Sequence, residues 1–210
     1  MPVFDFLRRS GGSASSAHRV QRKSSGLAEL DKLTVGNENM SVLNLGPTSP
    51  GNIAYFTNLG HGIYSEDIIT AAAEPQYRIA AEEGERFDAE RFLSENLVPS
   101  QRRFDVAICW DVFDYVDDAL LVPLARRIHE LLKPGGHLLA FFHSNAKEAP
   151  PRYFRYHITA PGAIDMQPGP VNFPLKRTLN NRKIEDIFNE FTSRKFLLAR
   201  DNTREVLARK

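Results

Sequence analysis

Residues 41–67, which read SVLNLGPTSPGNIAYFTNLGHGIYSED, decide the fold of this chain. The opening SVLNL is a short apolar run typical of a buried strand, and it leads into a loop that contains Gly46 and Gly51. Apolar residues at helical spacing follow over 52–59, and a glycine turn then leads into a second short strand at 63–65. A strand, a glycine turn, a helix and a second strand form a βαβ unit, which predicts a parallel sheet.

The later segments extend this alternation of strands and helices. FDVAICW at 104–110 is the strongest strand prediction, and a helix is predicted from residue 117 to the stop signal KPGG at 133–136. A further buried strand is predicted at 137–142, and residues 68–97 read as mostly helical. The remaining elements are helices at 27–33 and 180–191 and a terminal hairpin of 195–199 with 204–208.

Two segments lack such periodicity. Residues 1–26 are rich in Ser, Gly and Arg, and five basic residues against one acidic residue stand before Gly26, so we predict a flexible basic tail. The folded domain is then predicted to span residues 27–210. Within it, residues 144–178 contain six of the 13 prolines and several aromatic residues, and we predict that they pack over the domain as a lid insertion.

Composition excludes several classes of protein. The 210 residues have a net charge of +1 and 42% hydrophobic residues, which fits one globular domain and makes nucleic-acid binding unlikely in terms of overall charge. The single cysteine excludes a disulfide framework, and the histidines lack metal-ligand spacing, so no metal is expected. The longest apolar run is far too short to cross a membrane, and we expect a cytoplasmic protein.

Polar residues follow three of the predicted strands. They are the loop at 46–51, the acidic pair Glu66 and Asp67, and Asp111. Ligands of open α/β sheets bind beyond the carboxyl ends of the strands, where an acidic side chain can accept both hydroxyls of a ribose. The loop has neither the Gly-Lys-Ser/Thr of a triphosphate loop nor a dinucleotide motif, and its two prolines remove amide donors. This pattern favours a nucleoside ligand without phosphate.

The chain resembles class I S-adenosylmethionine-dependent methyltransferases, in a form similar to the type 11 domains. The resemblance rests on four segments in the family's order and at roughly its spacing: VLNLG at 42–46, GHGIYSED at 60–67, FDVAICWD at 104–111 and LKPGG at 132–136. It implies a Rossmann-like α/β fold with a mostly parallel, seven-stranded type of sheet, a C-terminal antiparallel hairpin and helices on both faces. It also implies S-adenosylmethionine as the cofactor.

The resemblance assigns roles to particular residues around that cofactor. It implies a cofactor loop formed by Asn44, Gly46, Thr48 and Gly51. It further implies Asp67, with Glu66 as its rival, at the ribose hydroxyls, Asp88 at the adenine, and Trp110 and Asp111 close to the cofactor. The loop departs from the family's DLGxGxG pattern, because Asn44 lacks the aspartate charge and Thr48 carries a side chain where the pattern has glycine.

Three functions are compatible with this sequence. The leading hypothesis is an S-adenosylmethionine-dependent methyltransferase that acts on a small-molecule acceptor beneath the lid. The alternative is a catalytically inactive methyltransferase-like protein that serves as a binding module, which the divergent loop favours. Nucleic-acid modification is a third reading, supported by the basic terminal segments. The sequence assigns no specific general base, and the candidates are Asp111, Asp114, Tyr115 and His143. Neither the acceptor nor the oligomeric state follows from the sequence.

Overall fold

The computed structural model describes residues 19–34, 36–82, 84–98, 102–144, 153–169, 173–198 and 203–210. The strands within these residues are β1 (Val20–Lys23), β2 (Ser41–Leu45), β3 (Gly62–Glu66), β4 (Arg78–Ala81), β5 (Gly84–Phe87), β6 (Phe104–Cys109), β7 (Leu132–His143), β8 (Phe154–Ala160), β9 (Ala163–Pro168), β10 (Ser193–Leu198) and β11 (Thr203–Arg209). The α-helices are α1 (Ser25–Thr34), α2 (Pro50–Asn58), α3 (Ile68–Ala72), α4 (Ala89–Asn96), α5 (Val112–Tyr115), α6 (Asp118–Leu131) and α7 (Asn181–Ile187).

The central sheet confirms the predicted α/β architecture. Its strand order is β10-β11-β7-β6-β2-β3, in which β3, β2, β6 and β7 run parallel. The terminal hairpin of β10 and β11 joins antiparallel, as predicted. The carboxyl ends of β2, β3 and β6 therefore lie side by side at one edge of the sheet.

The sheet differs from the implied seven-stranded type in its strand number. Among the described residues it has six strands, because β4 and β5 pair with each other as a separate antiparallel hairpin. Gly84 opens β5 at a φ of +112°, a conformation that suits glycine in a tight reversal. The chain thus turns back on itself there, where the sequence had predicted mostly helix, and β3 is left as the edge strand.

The central sheet is covered on both faces. Side chains that alternate along β6 point to opposite sides, so that Ile108 packs on one side and Cys109 on the other. Helices α1 and α2 contribute to the core that contains Ile108, whereas α3 to α7 contribute to the core that contains Cys109. Helix α6 buries Leu121, Leu124, Ile128 and Leu131, which are the residues predicted to share one helix face. Pro123 lies inside this helix.

The structure corrects the boundary of the predicted tail. Residues 20–26, assigned to the tail from the sequence, form β1 and the start of α1, whereas residues 1–18 lie outside the described part. Strand β1 pairs antiparallel with β9 in a separate three-stranded sheet of the order β1-β9-β8, which we call the cap sheet. The ordering comes from a distant partner, because Arg22 forms a buried ion pair with Glu205 of β11. A local composition argument could not detect this contact.

The predicted lid insertion contains an antiparallel hairpin that the sequence analysis missed. Strands β8 and β9 pair around a turn in which Gly162 has a φ of +64°. Tyr156, Ile158 and Ile164 of this hairpin are buried in the core that also contains α1 and α2. Residues 145–152 and 170–172 of the predicted lid lie outside the described part.

Candidate functional site

The predicted site residues at the ends of three strands do meet. The backbone N–H of Gly46, just after β2, donates to the carbonyl oxygen of Glu66 at 2.9 Å. Gly46 has a φ of +136°, and a Cβ atom there would lie 3.1 Å from Cδ1 of Trp110. Only glycine fits this crowded, left-handed position without strain. Gly46, Glu66 and Trp110 therefore lie together where β2, β3 and β6 end, which is where the sequence had placed them.

The acidic pair after β3 divides its roles between two side chains. Asp67 caps α3, where its carboxylate accepts from the Thr70 amide at 3.2 Å and from the Thr70 hydroxyl at 2.9 Å. The Tyr153 hydroxyl also donates to Asp67, at 3.4 Å. Glu66 is exposed, and its carboxylate has no hydrogen-bond partner within the described ranges. The unengaged acid at this strand end is thus Glu66, although the sequence analysis preferred Asp67.

Asp88, the predicted adenine contact, follows the β4–β5 hairpin rather than a strand of the central sheet. Its carboxylate accepts from the Arg91 amide at 3.1 Å and caps α4. Asp88 lines a cavity of about 430 Å³ between α4 and α6. The structure therefore gives Asp88 a capping role and does not join it to the three strand ends by any contact between described residues.

Asn44, the departure from the family's aspartate, is fully buried and hydrogen-bonded within the protein. Its Oδ1 accepts from Nε1 of Trp110 at 2.9 Å and from the Asn52 amide group at 3.3 Å. Its Nδ2 donates to the Ser65 hydroxyl at 3.4 Å. The side chain therefore connects β2 to α2, β3 and the residue after β6. This network fixes the orientation of the Trp110 indole.

The second half of the predicted cofactor loop lies against β8. The Ser49 hydroxyl, which caps α2, is 2.7 Å from Nδ1 of His157. The Asn52 side-chain oxygen accepts from the Ile158 amide at 2.7 Å. A Cβ atom at Gly51 would lie 3.3 Å from Cβ of His157. Strand β8 thus covers Gly51, whereas Thr48 remains exposed.

The strand end after β6 is enclosed by aromatic rings. The Trp110 ring is stacked on Tyr156, with centroids 4.8 Å apart and an angle of 3° between the planes. The ring centroids of Phe141, in β7, and Trp110 are 5.0 Å apart. The Tyr156 hydroxyl donates to Oδ2 of Asp111 at 2.9 Å. The β8–β9 hairpin therefore contacts both of the residues that the family resemblance places after β6.

Two buried carboxylates and a histidine meet beside this stack. Oδ2 of Asp111 lies 3.3 Å from Nε2 of His143, at the end of β7. Oδ2 of Asp114 accepts from the backbone N–H of His143 at 2.6 Å. The Oδ1 atoms of Asp111 and Asp114 are buried, and neither has a hydrogen-bond partner in the described part of the chain. An unpartnered carboxylate oxygen in the interior is costly, so this cluster is suited to a ligand or a proton.

Burial and charge shift the pKa values in this cluster. Burial raises the pKa of Asp114 to about 7, although the His143 amide and the nearby His143 and Arg177 charges oppose the shift. Burial opposes the charged form of His143, but the hydrogen bond and charge of Asp111 and the charge of Asp114 outweigh it, so the pKa of His143 is raised. The cluster can therefore hold and release a proton near neutral pH.

Aromatic rings pack beside the imidazole of His143. The Tyr115 hydroxyl lies 3.5 Å from Nε2 of His143, and the two rings are 6.0 Å apart at an angle of 79°. Tyr153 packs against Tyr115 with centroids 5.5 Å apart, and Phe173 packs against Tyr153 at 5.0 Å. Burial is the main cause that raises the pKa of both Tyr115 and Tyr153, so their hydroxyls are neutral.

Metal binding, thiol chemistry and a membrane span are the other features that the sequence raised. The described ranges contain no group of three His, Cys, Asp or Glu side chains placed to hold a metal ion. Cys109 is buried, and burial raises the pKa of its thiol, which suits the predicted core role. No helix among the described residues is both long enough and apolar enough to span a membrane.

Sequence reasoning missed the residues by which the cap sheet joins the site. Tyr156 and His157 lie in a segment without periodicity, and Asn52 was assigned only to a helix. Their partners are 45 to 108 positions away in the sequence. The role of Asp67 had a local signal, because aspartate is one of the preferred N-cap residues and Asp67 stands directly before α3.

Comparisons with known proteins bear on the family and the fold of this chain. A family model described as a methyltransferase domain matches residues 17–155, more than half of the chain. The PH0226 protein from Pyrococcus horikoshii OT3 has a similar structure, with a TM-score of 0.51, 14% identity and 88% of each chain covered. At this identity the likeness concerns the fold.

A second similar structure was determined with two ligands bound. It is the 1,6-didemethyltoxoflavin-N1-methyltransferase of Burkholderia thailandensis with bound 1,6-didemethyltoxoflavin and S-adenosylhomocysteine. The TM-score is 0.49 at 13% identity, and the match covers 89% of this chain and 77% of that one. No protein of curated function matches the chain in sequence.

Proposed function

This chain belongs to the methyltransferase domain family and is a methyltransferase, and we propose that it transfers a methyl group from S-adenosylmethionine to a small-molecule acceptor. The observation that carries the proposal is the carboxylate of Glu66, which has no hydrogen-bond partner among the described residues and lies beside Gly46 at the carboxyl ends of β3 and β2. This is the place where open α/β sheets bind the ribose of a nucleoside ligand.

The side chains at the three strand ends fit that cofactor. The two oxygens of Glu66 would accept from both ribose hydroxyls, and Gly46 has no side chain to keep the ligand from the backbone. The buried, unpartnered Oδ1 of Asp111 would accept from the ammonium group of the methionine part. When bound, the cofactor supplies a methyl group that its sulfonium already activates. The protein then mainly aligns the partners and excludes water.

The divergent loop has a structural explanation that supports an active enzyme. The Asn44 side chain accepts hydrogen bonds from both Trp110 and Asn52. A neutral amide that connects these two residues thus stands where the family pattern has a charged aspartate. The Asp111 carboxylate, close to Trp110, would then supply the negative charge that Asn44 lacks. The alternative of an inactive binding module predicts no cofactor binding and is tested by the same titration.

We further propose that the β8–β9 hairpin is a fixed wall of the acceptor site. Tyr156 and Ile158 are buried in the core, and β1 pairs along β9. Elements packed in this way do not open without the loss of core contacts. A fixed wall beside His143 would favour a small acceptor over a polymer. Localisation in the cytoplasm remains a prediction from the sequence.

Calorimetric titration with S-adenosylmethionine and S-adenosylhomocysteine tests the cofactor site. We expect micromolar binding by the wild type and at least a tenfold loss in Glu66→Gln, since a hydrogen bond to a charged group contributes roughly 1.5–3 kcal/mol. The matched control is Asp67→Asn, which keeps the cap of α3 and should bind within about threefold of the wild type. Absence of binding at millimolar ligand would overturn the proposed function, and an equal loss in both variants would overturn the role of Glu66.

A further inference from the structure

His143 is the accessible member of the buried acid cluster. Its side chain is 16% exposed, whereas that of Asp111 is 2% exposed. Asp114 is fully buried beneath the His143 backbone. An acceptor molecule would therefore meet the imidazole before the carboxylates behind it.

The hydrogen bonds of His143 leave one ring nitrogen available. Nε2 faces Oδ2 of Asp111 at 3.3 Å and the Tyr115 hydroxyl at 3.5 Å. Nδ1 has no hydrogen-bond partner among the described residues. A carboxylate that accepts from Nε2–H fixes the neutral tautomer in which Nδ1 carries the lone pair. A base oriented by a third group in this way is the usual arrangement for proton abstraction.

Building on the proposed function, we propose that His143 is the general base of methyl transfer and that the acceptor is an aromatic hydroxyl. The acceptor O–H proton passes to Nδ1 of His143 as the oxygen forms its bond to the methyl carbon. The electron pair of the broken carbon–sulfur bond stays on sulfur. The imidazolium that results is stabilised by Asp111, and the products are a methyl ether and a neutral thioether.

The walls of the site favour this class of acceptor. Tyr115, Tyr153 and Phe173 form a row of edge-to-face rings beside His143, and a flat aromatic acceptor would extend this row at the half-buried Phe173. A neutral hydroxyl must lose its proton when it is methylated, so it requires the base that the structure provides. The two carboxylates behind His143 disfavour an acceptor that already carries negative charge.

The protonation of His143 tests the inference without any ligand. Nitrogen NMR of the wild-type imidazoles should show the Nε2–H tautomer for neutral His143. Asp111→Asn should lower its titration midpoint, because the anion at Nε2 is removed. Asp114, Tyr115 and Arg22 also face this ring and stay unchanged in that variant. His137, at the other end of β7, is the internal control and should titrate alike in both proteins. A neutral Nδ1–H tautomer, or an unchanged midpoint, would overturn the role of His143.

Transfer to phenols tests the reaction itself. Wild type, His143→Asn and the matched control His137→Asn would be assayed with radiolabelled S-adenosylmethionine and a panel of mono- and dihydroxybenzenes. We expect His143→Asn to lower kcat by about 10²–10⁴ with unchanged cofactor affinity, and His137→Asn to match the wild type. Activity of His143→Asn within threefold of the wild type would overturn the inference, as would a cofactor-binding wild type that methylates none of the phenols. Failure of the wild type to bind the cofactor would instead overturn the proposed function.

Discussion

The phenol ring of Tyr156 lies parallel to the indole of Trp110, and the Tyr156 hydroxyl donates a hydrogen bond to the carboxylate of Asp111, the residue after Trp110. One residue of the β8–β9 hairpin thus fixes two consecutive residues at the end of β6. Trp110 is the only tryptophan of the chain, so tryptophan fluorescence reports on the surroundings of this one ring.

Tyr156→Leu should remove the stack and shift the emission of Trp110 to the red. We expect a loss of about 2–4 kcal/mol in the free energy of unfolding, since a large buried side chain and an aromatic pair are lost. Tyr156→Phe is the matched variant, because it keeps the ring and removes only the hydrogen bond to Asp111. It should keep the wild-type emission maximum and lose about 1–3 kcal/mol. An unchanged emission maximum in Tyr156→Leu would contradict the stacked arrangement.

Gly46→Ala should impair the cofactor site in addition to the fold. Gly60 has a similarly positive φ of +80°, but a Cβ atom there would meet nothing within 4 Å, so Gly60→Ala is the control for backbone strain alone. We expect both variants to lose about 1–3 kcal/mol of stability, which is the strain of such a conformation in a residue with a side chain. Only Gly46→Ala should change Trp110 emission and weaken S-adenosylhomocysteine binding. Equal binding by the two variants would show that crowding at Gly46 does not matter.

Arg22→Met should destabilise the protein more than Arg22→Met combined with Glu205→Gln. The single change leaves the Glu205 carboxylate buried without the guanidinium, although Ser24 still donates to it at 2.9 Å. The loss of one partner of a buried ion pair costs about 3–5 kcal/mol, whereas removal of both charges costs less. Urea unfolding of the two variants measures the difference. A double variant that is less stable than the single one would contradict the buried pair.

Asp114 should make the protein less stable as the pH rises from about 4 to 6. Its pKa is about 7 in the folded state and about 3.8 when unfolded, so the folded protein binds the extra proton in this range. A shift of this size corresponds to a loss of about 4 kcal/mol once the pH exceeds the folded value. Asp114→Asn mimics the protonated carboxyl group and should flatten the profile between pH 4 and 6.

Thermal unfolding at each pH gives the profile of Asp114→Asn, and Asp118→Asn is its control. The Asp118 carboxylate is 83% exposed, and its removal should leave the wild-type slope. His143 does not contribute to the slope between pH 4 and 6. Its raised pKa contributes stability that is fully present below pH 6.5 and is lost above it. The same slope in wild type and Asp114→Asn would show that the Asp114 carboxyl group is not protonated in the fold.

The strands of the central sheet could be predicted because their signal is local. The apolar runs of β2 and β6 are buried from end to end or nearly so, and glycines close the turns between elements. Strands β1, β4 and β5 could not be predicted in this way. Each is only four residues long and none is a buried apolar run. Strand β1 forms on the distant β9 and beside a buried acid, whereas β4 and β5 pair only with each other.

The site was predictable to the same extent. Gly46, Glu66 and Trp110 follow strands, so the topology alone brings them together. The use of Asn44 as a connector depends on Trp110, which is 66 positions away, and the cover over Gly51 depends on the cap sheet. Such contacts are set by how distant segments cross, and residue type and spacing do not encode them.

The ion pair between Arg22 and Glu205 joins two residues 183 positions apart, which has a consequence for biosynthesis. A ribosome makes β1 long before β11, so the acid that neutralises Arg22 emerges only after the parallel strands have been made. The parallel strands can assemble earlier on the growing chain, but the contact between β1 and β11 forms only after β11 has left the ribosome. The buried ion pair is therefore among the later contacts to form, and a nascent chain stalled before residue 203 would leave β7 without its partner β11 and expose a strand edge for chaperones to bind.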